Sequence, residues 1–119
     1  QPYNVSTLTH AVAAKIARDD VSIPRRVEQC HRERGRVHAA LEKVRAIEVF
    51  PSVTNFVLFR IRERTPAEVH ARFLEQNVLI RDISMWPGCA GCLRVSIGTP
   101  VENDRFIAAL DHVFAAAPA

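Results

Sequence analysis

The chain has 119 residues, of which 48% are hydrophobic and 24% charged, and a net charge of +3. That is enough for one domain with a single buried core, and the balance is that of a globular protein rather than a disordered segment. The basic excess is too small for a nucleic-acid binder, and no run approaches the roughly 18 apolar residues of a membrane span.

Much of the excess charge lies between Ile23 and Arg45, where seven Arg or Lys face three Glu. Interspersed signs of this kind read as a solvated helix face. The opening Gln1-Pro-Tyr-Asn4 has neither the basic start nor the apolar run of a signal peptide. The sole methionine is Met85, so the chain is expected to begin inside a longer polypeptide. Cys30, Cys89 and Cys92 are an odd number of cysteines, which fits a reducing, cytoplasmic setting better than a disulfide framework. Cys89-Ala-Gly-Cys92 matches C-x-x-C, but it precedes a predicted strand, whereas a redox motif opens a helix after one. A zinc site needs about four ligands, and no second close-spaced pair exists, so no metal is expected.

In chain order, Val5, Leu8, Val12 and Ile16 recur at helical spacing, with Ser6 or Thr7 as cap, and predict a first helix ending near Asp19. Ser22 is the predicted cap of a longer helix with the apolar stripe Ile23, Val27, Cys30, Val37, Leu41 and Val44. Arg34 falls on that stripe, where it is expected to snorkel or to pair with a carboxylate. Ile47 to Phe50 and Asn55 to Ile61 read as strands. Thr65-Pro-Ala-Glu68 is a capping box, opening a helix that buries Val69, Phe73 and Leu74 and stops at Asn77. Val78 to Ile83 and Cys92 to Gly98 read as strands around a turn, and Thr99-Pro-Val-Glu102 opens a last helix burying Phe106, Ile107, Leu110, Val113 and Phe114. The tail from Ala115 should fray. The order implies an α+β fold: a small, mostly antiparallel sheet of three to four strands, formed by the last three with or without the first, with helices on one face.

A symmetric fold-back about the 84–91 turn sets Arg81 directly opposite Arg94. Like charges at facing positions are destabilising unless something lies between them. In this register Ile80, Leu93, Val95 and Ile97 point to the core and Arg81, Arg94 and Ser96 to the other face. Two guanidinium forks on one face fit a dianionic ligand or one with two separate acidic groups; the alternative is that each arginine pairs with a carboxylate, Arg81 with one such as Asp82 and Arg94 with a glutamate elsewhere. The five histidines (His10, His31, His38, His70 and His112) fall on predicted helices at mostly exposed positions, and no nucleophile–base arrangement or glycine-rich phosphate loop is present. No catalytic residue is therefore assigned.

Several blocks together resemble a known family: Gln1-Pro-Tyr-Asn-Val-Ser6, Asn55-Phe-Val-Leu-Phe59, Leu79-Ile-Arg-Asp82, Pro87-Gly88, and Gly91-Cys-Leu-Arg-Val-Ser-Ile-Gly-Thr99 with Glu102-Asn103. They are similar, in order and over essentially the whole chain, to the C-terminal part of the histidinol-phosphate aminotransferases, pyridoxal-phosphate enzymes of fold type I. The resemblance implies a helix of the inter-domain segment over residues 1–22 and the small C-terminal domain over 23–119. It implies that Arg94 binds the substrate α-carboxylate and Arg81 the substrate phosphate. Tyr3 and Asn4 match the segment joining the two domains, and Asn55 a structural asparagine at a strand start. Ser52-Val-Thr-Asn-Phe56 departs slightly from the family's Ser-x-Ala-Asn-Phe.

The family's cofactor lysine, the acidic partner of the pyridine nitrogen and the cofactor-phosphate ligands belong upstream of Gln1. Lys15 and Lys43 lie in no such motif, and covalent cofactor chemistry needs that lysine. Pyridoxal phosphate is thus expected in the intact parent and not on this chain alone, which should not transaminate. The implied partners are a small phosphate or carboxylate substrate and, for the parent, a second identical subunit. A related aminotransferase, a phosphothreonine decarboxylase, or a stand-alone small-anion-binding module are the alternatives.

Overall fold

The computed structural model describes residues 4–115. Tyr3 and the predicted fraying tail beyond Ala115 lie outside the described residues. The elements run α1 (Thr7–Ile16), α2 (Ser22–Glu42), β1 (Ile47–Val49), β2 (Phe56–Ile61), α3 (Pro66–Glu75), β3 (Arg81–Asp82), β4 (Cys92–Ser96) and α4 (Pro100–Phe114), in the predicted order.

The helix ends follow local hydrogen-bonding chemistry. The Ser6 hydroxyl accepts the Thr9 N–H at 3.2 Å and opens α1. α1 stops at Ile16, short of Asp19, because Asp19 serves the next helix: its carboxylate accepts the Val21 and Ser22 N–H groups at 3.0 and 2.8 Å. Asp19, rather than Ser22, therefore satisfies the first orphan donors of α2. Both capping boxes form, with Thr65 and Glu68 at α3, Thr99 and Glu102 at α4, and a proline at the start of each helix. Each cap stabilises its helix by about 1 kcal/mol.

The sheet has the order β1-β2-β4-β3 with every pairing antiparallel, so β1 joins as a fourth strand beside the three expected ones. Alternation sends Val57, Phe59, Ile61, Leu93 and Val95 to one face, where they are buried against Val37 and Leu41 of α2, Val69 and Phe73 of α3, and Phe106, Leu110 and Val113 of α4. Phe73 stacks on Phe106 with ring centres 5.3 Å apart, and Phe114 meets it edge-on at 6.4 Å. This is the α+β arrangement expected, with helices on one face.

Three further expectations fail. Leu74 is exposed: the α3 stripe runs through Val69 and Phe73, and the next residue turns about 100° away. The strand predicted over Val78 to Ile83 shrinks to Arg81–Asp82, because Asn77 ends α3 at φ 57° and Val78 still donates back to the Phe73 carbonyl at 2.9 Å. The stripe of α2 is buried only in its second half, at Val37 and Leu41; Ile23 and Val27 are exposed, as is every residue of α1. α1 and the start of α2 form an arm that stretches the molecule to 58 × 32 × 25 Å. Its radius of gyration is 17.1 Å, against about 13.5 Å for a compact domain of this length.

Candidate functional site

The face of the sheet opposite the helices carries the site. β4 pairs Arg94 with Leu58 on one side and with Arg81 on the other, so the facing arginine pair forms as expected. The Arg94 guanidinium lies over the Phe56 ring, 5.3 Å from its centre, a cation–π contact that holds the side chain across the sheet. Its Nε is buried and has no hydrogen-bond partner among the described residues. Neither arginine forms an ion pair with a described carboxylate. Asp82, the sequence neighbour of Arg81, accepts the Ser84 N–H at 2.8 Å instead of pairing with it. An unpaired, partly desolvated guanidinium is costly unless an anion completes it. The ion-pair alternative therefore lacks its carboxylates, and the anion reading keeps its cations.

The two arginines open into a cleft of about 590 Å³ lined also by His70, Leu79, Asp82 and Ser96. His70 corrects the expectation of an exposed helix histidine: it is half-buried, and its Nε2 lies 3.0 Å from the Ile80 carbonyl. The available signal was its position beside Val69 and three residues before Phe73, at the edge of the buried stripe.

The end of β4 is clamped by Asn55, Asn103 and Glu33, of which Glu33 was not among the sequence candidates. Ile97 donates to the Asn55 carbonyl at 2.8 Å, which gives Asn55 a backbone role at the start of β2. The Asn103 side chain accepts the Gly98 N–H and donates to the Gly98 carbonyl, both at 3.0 Å, and also donates to Glu33 at 3.0 Å. Glu33 is buried on α2 and is paired with Arg36 at 2.8 Å, and Arg36 in turn meets Asp104. The Asn103 hydrogen bond, then Arg36, holds the Glu33 carboxyl below its ordinary 4.5. A Cβ at Gly98 would stand 2.6 Å from the Glu102 carboxylate and would push it within the capping box. Thus α2, α4 and the strand bearing Arg94 are tied at one point.

The remaining sequence candidates fall elsewhere. Arg34 donates to the Thr54 carbonyl at 2.9 Å, tying α2 to the β1–β2 loop instead of pairing with a carboxylate. Cys92 is buried on β4, and its N–H closes a turn to the Cys89 carbonyl at 2.9 Å. Among the described residues no group of three or more His, Cys, Asp or Glu is arranged to hold a metal ion, and no helix is long and apolar enough to cross a membrane. Lys15 on α1 and Lys43 after α2 do not line the cleft, so the cleft's own residues offer no amine to a carbonyl cofactor.

Comparison with known proteins agrees with this geometry. The family described as "Aminotransferase class I and II" matches residues 1–110. The histidinol-phosphate aminotransferase of Aquifex aeolicus (strain VF5) is 36% identical over 113 residues, covering 93% of this chain and 31% of the relative. The crystal structure of the histidinol-phosphate aminotransferase from Clostridium acetobutylicum superposes with a TM-score of 0.84 at 25% identity, covering 95% of this chain and 34% of that one. The L-threonine-O-3-phosphate decarboxylase from Porphyromonas gingivalis gives 0.66 at 34% identity, covering 71% of this chain and 27% of that one. The chain spans about a third of the length of the curated relatives it matches. With the arginine-bearing sheet, the two capping boxes and a match running from residue 1 to residue 110, this chain belongs to the class I and II aminotransferase family.

Proposed function

We propose that this chain is the small C-terminal domain of a histidinol-phosphate aminotransferase, which transfers an amino group between glutamate and imidazole-acetol phosphate in histidine biosynthesis. Residues 1–22 are the inter-domain segment, which carries α1, and 23–119 the domain proper. The carrying observation is the facing pair Arg81 and Arg94, neither of them paired with a carboxylate among the described residues and both open to one cleft. Arg94, backed by Phe56 and with its Nε unspent, takes the α-carboxylate of glutamate, since the phosphorylated substrate has none. Arg81, on the exposed edge strand, takes the phosphate.

Pyridoxal phosphate supplies the electron sink of the parent enzyme. No lysine of this chain lines the cleft, so the chain contributes binding and orientation rather than covalent chemistry. The parent is read as a cytoplasmic homodimer acting on a small phosphorylated amine, with neither nucleic acid nor membrane as partner.

In the intact polypeptide that carries this chain, Arg94→Ala and Arg81→Ala should each weaken productive substrate binding by roughly 10- to 100-fold, the scale of a lost charge-assisted hydrogen-bonding pair. The isolated chain, mixed with pyridoxal phosphate and histidinol phosphate, should form no product; turnover would overturn the division of labour. A second reading, a threonine-phosphate decarboxylase, is favoured by the 34% identity to the Porphyromonas gingivalis enzyme over 71% of the chain. Both substrates carry a phosphate, so Arg81 does not separate them. Carbon dioxide release from threonine phosphate, without amino transfer from histidinol phosphate, would select the second reading.

A further inference from the structure

Arg81 and Arg94 are held by very different amounts of structure. Arg94 lies on a strand paired on both sides, with Leu58 and Arg81 as its neighbours, and packs on Phe56. Arg81 lies on a two-residue edge strand paired on one side only; Ile80 before it is buried in the core, but Leu79, one residue further back, is 80% exposed. An edge strand this short does not by itself fix the direction of the peptide that enters it. The Ile80 carbonyl belongs to the peptide unit that contains the Arg81 nitrogen, and the His70 side chain on α3 reaches it at 3.0 Å. A carbonyl only accepts, so the His70 Nε2 carries the proton and donates. That bond ties α3 to the residue immediately before the arginine.

Resting on the reading of Arg81 as the phosphate grip, we infer that His70 is a positioning residue for Arg81 and thereby sets the protein's preference for phosphorylated substrates. Turning the Ile80–Arg81 peptide swings the Arg81 Cα, and with it the guanidinium at the end of a long side chain. His70 holds that peptide in the orientation that sends the fork into the cleft, where His70 itself forms part of the wall. Arg94, secured on its other side by the pairing with Leu58 and by Phe56, does not depend on this bond. Loss of His70 therefore weakens the phosphate grip while leaving the carboxylate grip intact, an asymmetry that general loosening of the domain does not produce.

The test uses the intact polypeptide with three substitutions. His70→Phe keeps a ring but removes the donor, His70→Gln keeps an N–H of similar reach, and Arg81→Ala removes the grip itself. Steady-state kinetics with histidinol phosphate and inhibition by inorganic phosphate are the readouts. His70→Phe should raise both KM and the phosphate inhibition constant about fivefold, the worth of one neutral hydrogen bond, with kcat changed by less than about twofold. His70→Gln should restore both, and Arg81→Ala should raise them roughly 30-fold. If His70→Phe does not fold, His70→Leu reads the same loss.

Unchanged phosphate inhibition in a folded donorless variant, or a folded His70→Gln no better than His70→Phe, overturns the inference. If Arg81→Ala leaves phosphate inhibition unchanged, the reading of Arg81 fails instead. Loss in Arg81→Ala without loss in His70→Phe sinks the His70 role alone.

Discussion

The arm made of α1 and the first half of α2 and the α/β body that follows carry the same kind of sequence signal. Leu8, Val12 and Ile16 are spaced as well for a helix face as Val37 and Leu41 are, yet the first three are 50% or more exposed and the last two are fully buried. The difference lies in what stands opposite. Val37 and Leu41 meet a sheet face and α4, whereas the arm's apolar face meets no buried partner among the described residues. Periodicity identifies which side of a helix is apolar; it carries no information on whether another element covers that side. The body should therefore hold the stability of the chain, and the arm should be nearly neutral to it.

The sharpest way to break this comparison is a matched pair of substitutions. Phe73→Ala empties a fully buried site against the Phe106 and Phe114 rings, and should cost about 3–5 kcal/mol by urea denaturation. Leu8→Ala, at a residue 75% exposed, should stay within about 0.5 kcal/mol. If Leu8→Ala costs as much as Phe73→Ala, the arm is covered in solution, and a concentration-dependent midpoint would trace the cover to another copy of the chain.

Next in size is Asn103→Ala. It removes the side chain that serves both polar groups of Gly98 and the Glu33 carboxylate. The loss should be about 2–3 kcal/mol, because a buried charge and two backbone groups lose a partner. Loss of the clamp should also loosen β4, so hydrogen exchange at Val95 and Ile97 should accelerate more than at Leu8 or Val12.

The smallest effect is the pH dependence of the body. Glu33, Glu68 and Glu102 all sit below their ordinary 4.5, Glu33 through Asn103 and the other two mainly through the backbone N–H groups of Thr65 and Thr99. The native state then binds fewer protons than the unfolded one, so this stability is complete above about pH 4.5 and is lost as pH falls through the lower native values. Denaturation midpoints should decline below pH 4.5, and Glu33→Gln should be less stable at pH 7 but decline less steeply in acid. An unchanged slope in Glu33→Gln would mean that Glu33 does not contribute to the acid response.

Much of the site was legible before any coordinates. The turn chemistry of residues 84–91 and the two-residue period of the flanking strands set Arg81 opposite Arg94, because antiparallel pairing about a central turn leaves little freedom of register once the apolar face is known. The capping boxes were legible because their chemistry lies within four consecutive residues. His70, Glu33 and Asn103 were not. Their partners, the Ile80 carbonyl for His70 and each other across α2 and α4, are separated by 10 and 70 positions. Nothing in local spacing announces a side chain that reaches a distant backbone group.

The sequence by itself determined the order of the elements, the face each strand presents and the pair of facing cations, since each depends on residues close along the chain. Only the tertiary structure decided three further matters: that neither arginine has a carboxylate partner among the described residues, that no described residue buries the apolar face of the arm while that of α2's second half is buried, and that His70 grips the peptide before Arg81. Those depend on what each group meets in space, and for a side chain the nearest charge, wall or carbonyl is fixed by packing between elements rather than by its neighbours in sequence.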